Sequence, residues 1–394
     1  MFLVVWLTAV LGYACTRVES SDPPPGVDLG EGGFTGAEGG SGSRAGEGGE
    51  GNGGASVSVG GAPGSIELGI WPTFAAEPSE NEDVEAVLAS IAALSAGSAT
   101  LPVYERWDTL SGATGTPRAA AWARLDDMIE PYREREQGVA LCIGLVDRSV
   151  RAWPVLEEVD SVASRLAIER TIHEAFTRYA AQLTHLCFGY EVDRYLAAVP
   201  EEEAAPLLEL LGHAVAYAKT HPLWSPRIAL GVAITLQAAS DPDQLAKLAL
   251  GHEVVAVYDP LDENAELRDP AGIAAELEAA LAARPLDADG EPLPLTLLEA
   301  GYPSAEAVGS SEQTQRIYYE SLFEALALHA GELGFVGLFG LGDRAPARCD
   351  LEAASFGDPL SPRAAARCSM GLRADTGESK SAWPSVLSAL SRYR

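Results

Sequence analysis

The sequence predicts a single (β/α)8 barrel, the TIM-barrel fold of the α/β class, preceded by a disordered tether. From Ile66 onward, short β-like apolar runs alternate with longer helical segments, and eight of each fit within residues 65–394. Most of the apolar runs are continuous, which is typical of strands that are covered on both faces. An open doubly wound sheet would show the same alternation. However, no Gly-rich phosphate turn follows the first predicted strand, which weakens a nucleotide-binding interpretation.

The predicted elements follow one another in strict alternation. The strands are predicted at Ile66–Trp71, Ala99–Tyr104, Val139–Val146, Leu183–Gly189, Ile228–Ile234, Val254–Tyr258, Leu295–Leu298 and Phe335–Phe339. The first helix is predicted over 81–94, with Asn81 as its cap and apolar side chains at helical spacing. The other helices are predicted near Arg118–Glu130, Val159–Gln182, Glu201–Lys219, Pro242–Leu248, Pro270–Ala283, Ser311–Glu332 and Ala382–Ser391.

The composition restricts the kind of partner. The chain carries a formal charge of −30, whereas a nucleic-acid surface needs clustered Lys and Arg, so nucleic acid is excluded as a partner. Docking on anionic lipid is excluded for the same reason. About half of the residues are hydrophobic (47%), which is ample for a sizeable core.

The N-terminal residues predict export from the cell. Residues 1–15 begin with an apolar run that is too short to span a bilayer and is typical of a signal peptide. The run ends in Leu11-Gly12-Tyr13-Ala14-Cys15, which resembles a bacterial lipobox and so indicates lipidation of Cys15, with plain secretion as the alternative. Residues 16–64 are rich in Gly, Ser, Glu and Pro and predict a disordered linker. We therefore expect an extracellular or cell-surface protein that meets the membrane only through Cys15.

The remaining cysteines form two groups. Cys349 and Cys368 flank a loop-like stretch near the C-terminus, and export would expose them to an oxidising compartment, so we expect a disulfide between them. Cys142 and Cys187 lie within apolar strand-like runs, where buried free thiols are expected.

Two glutamates mark the candidate active site. In a (β/α)8 barrel the chemistry collects at the C-terminal ends of the strands. Glu191 follows the fourth predicted strand and Glu299 follows the seventh, each directly after apolar residues. Because desolvating a carboxylate is costly, a Glu at the edge of a buried strand is expected only where it has a structural partner or a function. One such Glu could be a structural partner of a nearby Arg, but two at these strands favour chemistry.

This arrangement resembles the clan of retaining glycoside hydrolases that carry an acid/base Glu on strand four and a nucleophile Glu on strand seven. Glu299-Ala300-Gly301-Tyr302-Pro303-Ser304 is similar to the strand-seven motif of the family 53 arabinogalactan endo-galactanases and their bacterial relatives. Val257-Tyr258-Asp259-Pro260-Leu261 resembles their strand-six segment, and Gly371-Leu372-Arg373, with Gly377, Lys380 and Trp383, resembles their closing segment.

The resemblance implies that Glu191 is the acid/base and that Glu299 attacks the anomeric carbon. Arg106 would keep Glu299 ionised, with a salt bridge at the rim as the alternative. The other side chains implied in substrate binding are Trp71, Trp107, Tyr190, Asp193, Tyr258, Tyr302 and Phe339. Two positions depart from the family: Tyr190 replaces an Asn that binds the sugar 2-hydroxyl, and strand eight offers Phe339 instead of a Trp. A slow enzyme, or one whose sugar sits differently, is therefore expected.

No cofactor or metal is expected. The six His residues show no zinc-binding spacing, the Gly-rich stretches lack a phosphate-binding Lys, and no Ser nucleophile motif is present. Two functions stay open. The first is a retaining glycosidase that acts on an extracellular polysaccharide of β-galactan or β-glucan type, and the second is a weak or inactive glycan-binding lipoprotein on the same barrel.

The predicted linker leads to a test of truncation. Removing residues 1–64 should leave the melting temperature of the barrel nearly unchanged, because a segment with almost nothing to bury contributes no packing. Thermal unfolding of the full chain and of the chain that begins at Ser65 measures this. A marked drop in the melting temperature would show that the segment packs onto the barrel.

Overall fold

The computed structural model describes residues 66–72, 88–89, 92, 100–148, 150–154, 158–159, 161–248, 251, 253–345, 349 and 361–392. The predicted signal peptide with Cys15 and the predicted linker lie outside the described residues, as does most of the first predicted helix.

Eight parallel strands form the wall of a nearly closed barrel, which confirms the predicted fold. They are β1 (Glu67–Ile70), β2 (Leu101–Arg106), β3 (Val139–Asp147), β4 (Leu183–Tyr190), β5 (Ala229–Thr235), β6 (Val254–Val257), β7 (Leu295–Ala300) and β8 (Leu333–Leu338). Consecutive strands pair from β2 to β8, and β8 pairs with β1. At the seam between β1 and β2, the Thr100 amide donates to the Leu68 carbonyl oxygen over 3.3 Å. A two-residue strand, Val150–Arg151, pairs antiparallel with the end of β3.

Helices connect the strands and surround the barrel. They are α1 (Trp107–Leu110), α2 (Ala119–Arg133), α3 (Val162–Tyr179), α4 (Val192–Ala198), α5 (Glu201–Thr220), α6 (Leu236–Ala239), α7 (Pro242–Leu248), α8 (Ile273–Ala283), α9 (Glu312–Leu328), α10 (Pro362–Cys368) and α11 (Trp383–Leu390). The helices α1, α4, α6 and α10 were not predicted; each has four to seven residues, which show little helical period, and among the described helices this short only α7 was predicted. Within the described residues, no helix is long and apolar enough to cross a membrane.

Two of the long helices, α3 and α9, begin at a serine cap and bury one face. Ser161 accepts a hydrogen bond from the Ser164 amide at the start of α3, and Ser311 accepts one from the Thr314 amide at the start of α9. The buried residues of α9 recur at intervals of three and four, which directs its aromatic side chains towards the barrel wall. The helix layer therefore covers the outer face of the strands.

The interior of the barrel is a packed core. Side chains from the strands, most of them small or of medium size, fill it: Ala140, Cys142, Cys187, Ala233, Val255, Val257, Leu298 and Phe335. Cys142 and Cys187 are buried free thiols in this interior, as predicted. Three buried polar side chains, His185, Glu253 and Thr296, close the N-terminal end through hydrogen bonds and an ion-pair contact. In barrels of this kind the chemistry takes place at the C-terminal mouth, where strand ends and loops meet.

A methyl group added at the seam between β1 and β2 should lower the stability of the barrel. A Cβ added at Gly69 would lie 2.2 Å from the Thr100 carbonyl oxygen, so Gly69→Ala forces the seam apart. We expect it to lower the free energy of unfolding by about 1–3 kcal/mol. Gly212→Ala on α5 is the control, because its Cβ meets no atom within 4 Å and should be neutral or stabilising. Urea denaturation that shows no loss for Gly69→Ala would contradict this account of the seam.

Candidate active site

The turn after β4 aims Glu191 into the barrel mouth. Glu191 has φ 50° and ψ 48°, a left-handed conformation that residues with a side chain rarely adopt, and Gly189 two residues earlier also has a positive φ of 71°. The Tyr190 carbonyl oxygen accepts a hydrogen bond of 2.9 Å from the Arg148 amide, which fixes the turn to the end of β3. The strained turn reverses the chain so that the Glu191 side chain is 98% buried instead of reaching solvent.

Two arginines contact the Glu191 carboxylate. Arg148 donates from Nε to Oε1 over 3.0 Å, and the Nε of Arg194 lies 2.9 Å from Oε2. The second contact is an ion pair without hydrogen-bond alignment, and Oε2 receives no hydrogen bond from any described residue. Burial raises the pKa of Glu191, and the charges of the arginines only partly oppose this rise. Oε2 is therefore the oxygen that can carry a proton.

Glu299 lies on β7 and is 1% exposed. The pairing of β7 with β8 is irregular between Leu297 and Ala300, the stretch that contains Glu299. Arg367 donates to its two carboxylate oxygens, over 2.7 Å from Nη1 and 3.3 Å from Nη2, and the Tyr190 hydroxyl donates to Oε2. Glu299 is therefore held by a two-pronged guanidinium contact on one side and by a phenol on the other.

Asp259, which follows β6, completes the group of buried carboxylates. Arg194 and Arg363 both donate to its Oδ2, and its Oδ1 accepts from the Leu261 amide. Because Arg194 also contacts Glu191, this arginine joins the ends of β4 and β6. A cavity of about 10 Å³, room for a single water, lies among Arg148, Glu191, Asp259, Arg363 and Arg367. Among the described residues, arginine and carboxylate side chains thus occupy most of the space around Glu191.

The short helix α10 supplies two of these arginines. Arg363 and Arg367 are one helical turn apart, so both point from the same face of α10 into the mouth. Cys368 ends the helix, and its Cα lies 5.6 Å from that of Cys349, within the range that a disulfide spans. The predicted cysteine pair therefore lies next to the candidate active site.

Three of the residues implied by the resemblance lie in or beside this mouth. Tyr190 contacts Glu299 through its hydroxyl, in place of the sugar contact expected from the family Asn. Phe339 lies beneath the guanidinium of Arg367, whose Cζ is 4.5 Å from the ring centroid. Trp71 is half-buried at the end of β1 and donates from its indole nitrogen to the Leu298 carbonyl oxygen over 2.9 Å.

Arg106, Trp107 and Tyr302 are placed differently from the sequence interpretation. Arg106 pairs with Asp108 over 2.7 Å, the rim salt bridge that was its alternative, and Arg367 takes the position beside Glu299 instead. The Trp107 ring is fully buried and donates to the Thr171 hydroxyl, so it cannot stack on a sugar. The Tyr302 ring is buried against Tyr318, and its hydroxyl donates to the Arg268 carbonyl oxygen.

Two further candidates have structural contacts. Asp193 accepts hydrogen bonds from the amide and hydroxyl of Thr235, which ties α4 to the end of β5. The Tyr258 ring packs against Tyr318 of α9, with centroids 5.1 Å apart, although the residue also lines the cavity. Asp193 is thus used within the fold, whereas Tyr258 packs against α9 and also borders the cavity beside Glu191.

The sequence interpretation missed four of the residues that surround the carboxylates. Arg148 stands at a strand end and Asp259 lies in the strand-six segment, so their positions in the sequence were an available signal. Arg363 and Arg367 follow the last strand by many residues and lack such a signal. Within the parts of the chain that the structure describes, no cluster of His, Cys, Asp and Glu could hold a metal ion.

The buried pair of Arg367 and Glu299 can be tested through stability. Arg367→Met leaves Glu299 buried without its strongest cation, and we expect it to lower the free energy of unfolding by about 3 kcal/mol or more. Combining it with Glu299→Gln should recover part of that loss. The exposed pair of Arg316 and Glu320 on α9 gives the control, because Arg316→Met should change stability by less than about 0.5 kcal/mol. Additive effects of Arg367→Met and Glu299→Gln in urea denaturation would contradict a direct interaction.

Comparison with known proteins identifies the fold. A scan against protein-family models finds no match, and a search of curated protein sequences finds no significant relative. Among solved structures, the GH5_18 protein from Bifidobacterium longum subsp. longum is 15% identical, with a TM-score of 0.60 over 84% of this chain and 80% of that one. A GH5_18 protein from Streptomyces cattleya, in complex with Manβ1-4GlcNAc, is 18% identical, with a TM-score of 0.58 over 84% and 81%.

An exo-β-1,4-mannosidase from Opitutaceae bacterium strain TAV5 is 16% identical, with a TM-score of 0.58. The match covers 84% of this chain but only 60% of the mannosidase. Likeness at these identities concerns the backbone and not the chemistry. The chain shares the (β/α)8 fold of these glycoside hydrolases.

Proposed function

We propose that this protein is a retaining glycoside hydrolase, with Glu191 as acid/base and Glu299 as nucleophile. The observation that carries the proposal is the convergence of two buried glutamates, from the ends of β4 and β7, on one cluster of arginines at the barrel mouth. The shared fold with glycoside hydrolases supports it.

The contacts of the two carboxylates match the two roles. Arg367 and Tyr190 hold the Glu299 carboxylate in place, so its oxygen can attack the anomeric carbon and form a glycosyl ester. Glu191 has a raised pKa, and its Oε2 accepts no hydrogen bond from a described residue, so this oxygen can carry the proton that passes to the departing glycosidic oxygen as that bond breaks. In the second step Glu191 takes a proton from water, and the water oxygen replaces Glu299 at the anomeric carbon.

The substrate class and the location belong to the same proposal. The strand-seven motif favours an extracellular polysaccharide of β-galactan type, with β-glucan as the other option. The complex of the Streptomyces cattleya protein with Manβ1-4GlcNAc adds β-mannosides to the glycans worth testing. The signal-like residues 1–15 and the linker support secretion or anchoring at the cell surface through a lipid on Cys15.

A second candidate function is glycan binding without hydrolysis. Two observations favour it. Each candidate catalytic carboxylate forms an ion pair with arginine, and the cavity beside Glu191 has room for about one water. A sugar ring enters only if the side chains of α10 move. A protein that binds glycans at the rim would keep the present arrangement.

Hydrolysis of a polysaccharide panel separates the two functions. The wild-type chain should release reducing ends from at least one β-linked glycan, and Glu299→Ala should abolish that release while glycan binding persists. Glu320→Ala on α9 is the matched control, because this Glu lies on the outer surface and should leave the rate unchanged. Glycan binding by the wild type without release of reducing ends from any glycan would favour the binding protein.

The raised pKa of Glu191 predicts the basic side of the pH profile. A general acid must be protonated, so kcat/KM should fall as the pH rises through the pKa of Glu191, above the ordinary value of 4.5. Glu191→Gln should remove this limb, and it should keep measurable formation of the glycosyl-enzyme only with aryl glycosides whose leaving group needs no proton. Persistence of the same limb in Glu191→Gln would assign it to another group.

A further inference from the structure

We propose that the N-terminal end of the barrel holds a buried imidazolium, His185, and that loss of its proton as the pH rises weakens the fold. The proposal goes beyond the proposed function, because this end of the barrel lies opposite to the mouth that carries Glu191 and Glu299. No step of the proposed reaction uses this histidine. The pH-sensitive element is the contact of His185 with Glu253 and with two threonine hydroxyls.

The cluster around His185 joins strands across the interior of the barrel. His185 lies near the start of β4, Thr296 near the start of β7, and Glu253 directly before β6. The Nε2 atom of His185 lies 3.1 Å from the Thr296 hydroxyl oxygen and 3.6 Å from Oε2 of Glu253. Because β4 and β7 are not neighbours in the barrel wall, the first of these contacts crosses the interior. All three side chains are buried, so a change in their protonation acts on several strands at once.

The hydrogen bonds of the cluster determine the protonation of His185, since a threonine hydroxyl has one proton to donate. Thr184 donates its proton to the Val139 carbonyl oxygen over 3.2 Å. Thr296 donates its proton to Oε1 of Glu253. Both hydroxyl oxygens can therefore only accept from His185, whose Nδ1 lies 2.9 Å from Thr184 and whose Nε2 lies 3.1 Å from Thr296. A ring that donates from both nitrogens is an imidazolium.

The charges that act on His185 favour the same protonation state. Burial by itself lowers the pKa of His185, but the negative charges of Glu253 and of Glu67 on β1 outweigh this, and the pKa stands above its ordinary value of 6.5. Further neighbours of the residue, from β3, β5 and β8, carry no charge: Ala140, Ala229, Gly334 and Phe335. Glu253 is thus the main counter-charge of the imidazolium.

Loss of this proton disrupts the cluster. A neutral ring has a single N–H, so one of the two hydroxyls must turn away from its present acceptor or one contact of the ring is lost. The charge of Glu253 then stays buried without the imidazolium beside it. Because the pKa is raised in the folded chain, this contribution to stability is complete below the ordinary value of 6.5 and is lost as the pH rises through the raised pKa of His185.

Nitrogen NMR of the full chain, with its histidines labelled, tests the protonation state. At pH 6.5 an ordinary imidazole is half neutral, whereas His185 should show two protonated ring nitrogens and a titration midpoint above 6.5. The signal is assigned by its absence from His185→Gln. Glu253→Gln should lower the midpoint, because it removes the main counter-charge. A wild-type midpoint at or below 6.5 would overturn the proposal, and this measurement does not depend on whether a variant folds.

Urea denaturation from about pH 6 to 9 tests the effect on the fold and needs no enzymatic activity. The unfolding equilibrium constant of the wild type should rise with pH above 6.5, by up to tenfold per pH unit for one released proton. His185→Gln should flatten this rise. His213→Gln is the matched control, because His213 pairs with Glu169 in the helix layer, and it should keep the rise. An equal rise in the wild type and in His185→Gln would overturn the proposal.

Discussion

The burial of three carboxylates at the mouth of the barrel is the constraint around which the rest of the site is arranged. An ionised carboxylate loses several kcal/mol of hydration when it is buried, so each one needs a cation or a proton. Glu299 has Arg367, Asp259 has Arg194 and Arg363, and Glu191 combines arginine contacts with a raised pKa. The strands that carry these carboxylates and the loops that carry the arginines are therefore tied together by charge as well as by packing.

Much of the fold followed from the sequence because the barrel strands are buried on both faces. Their continuous apolar runs place all eight strands within a few residues of the observed bounds, and Glu191 and Glu299 follow from the ends of two of them. Of the five described helices with at most seven residues, only α7 was predicted, because fewer than two turns carry little periodicity. Aromatic residues at strand ends were the least reliable predictors of the active site. Trp107 and Tyr302 turn away from the mouth, because burial of a large ring in the helix layer stabilises the fold more than exposure at the rim does.

The arginines of the site show a different limit of sequence interpretation. The partner of Glu299 had to be a cation, and a position at the end of a barrel strand favoured Arg106, the last residue of β2. The partner is Arg367, on a helix that follows the last strand, and nothing in a single sequence indicates where such a helix folds back. Charge complementarity predicts that Glu299 has a cationic partner, but the path of the chain after β8 determines which residue that partner is.

The left-handed turn at Glu191 has a consequence for how this protein could change over time. The conformation costs a residue with a side chain on the order of 1–3 kcal/mol, whereas glycine adopts it freely. Replacing Glu191 by Gly would relieve this strain, but it would also leave Arg148 and Arg194 without the carboxylate that they contact. Backbone strain and charge balance therefore act in opposite directions at this position, and the residue that suits the turn best removes the proposed acid/base.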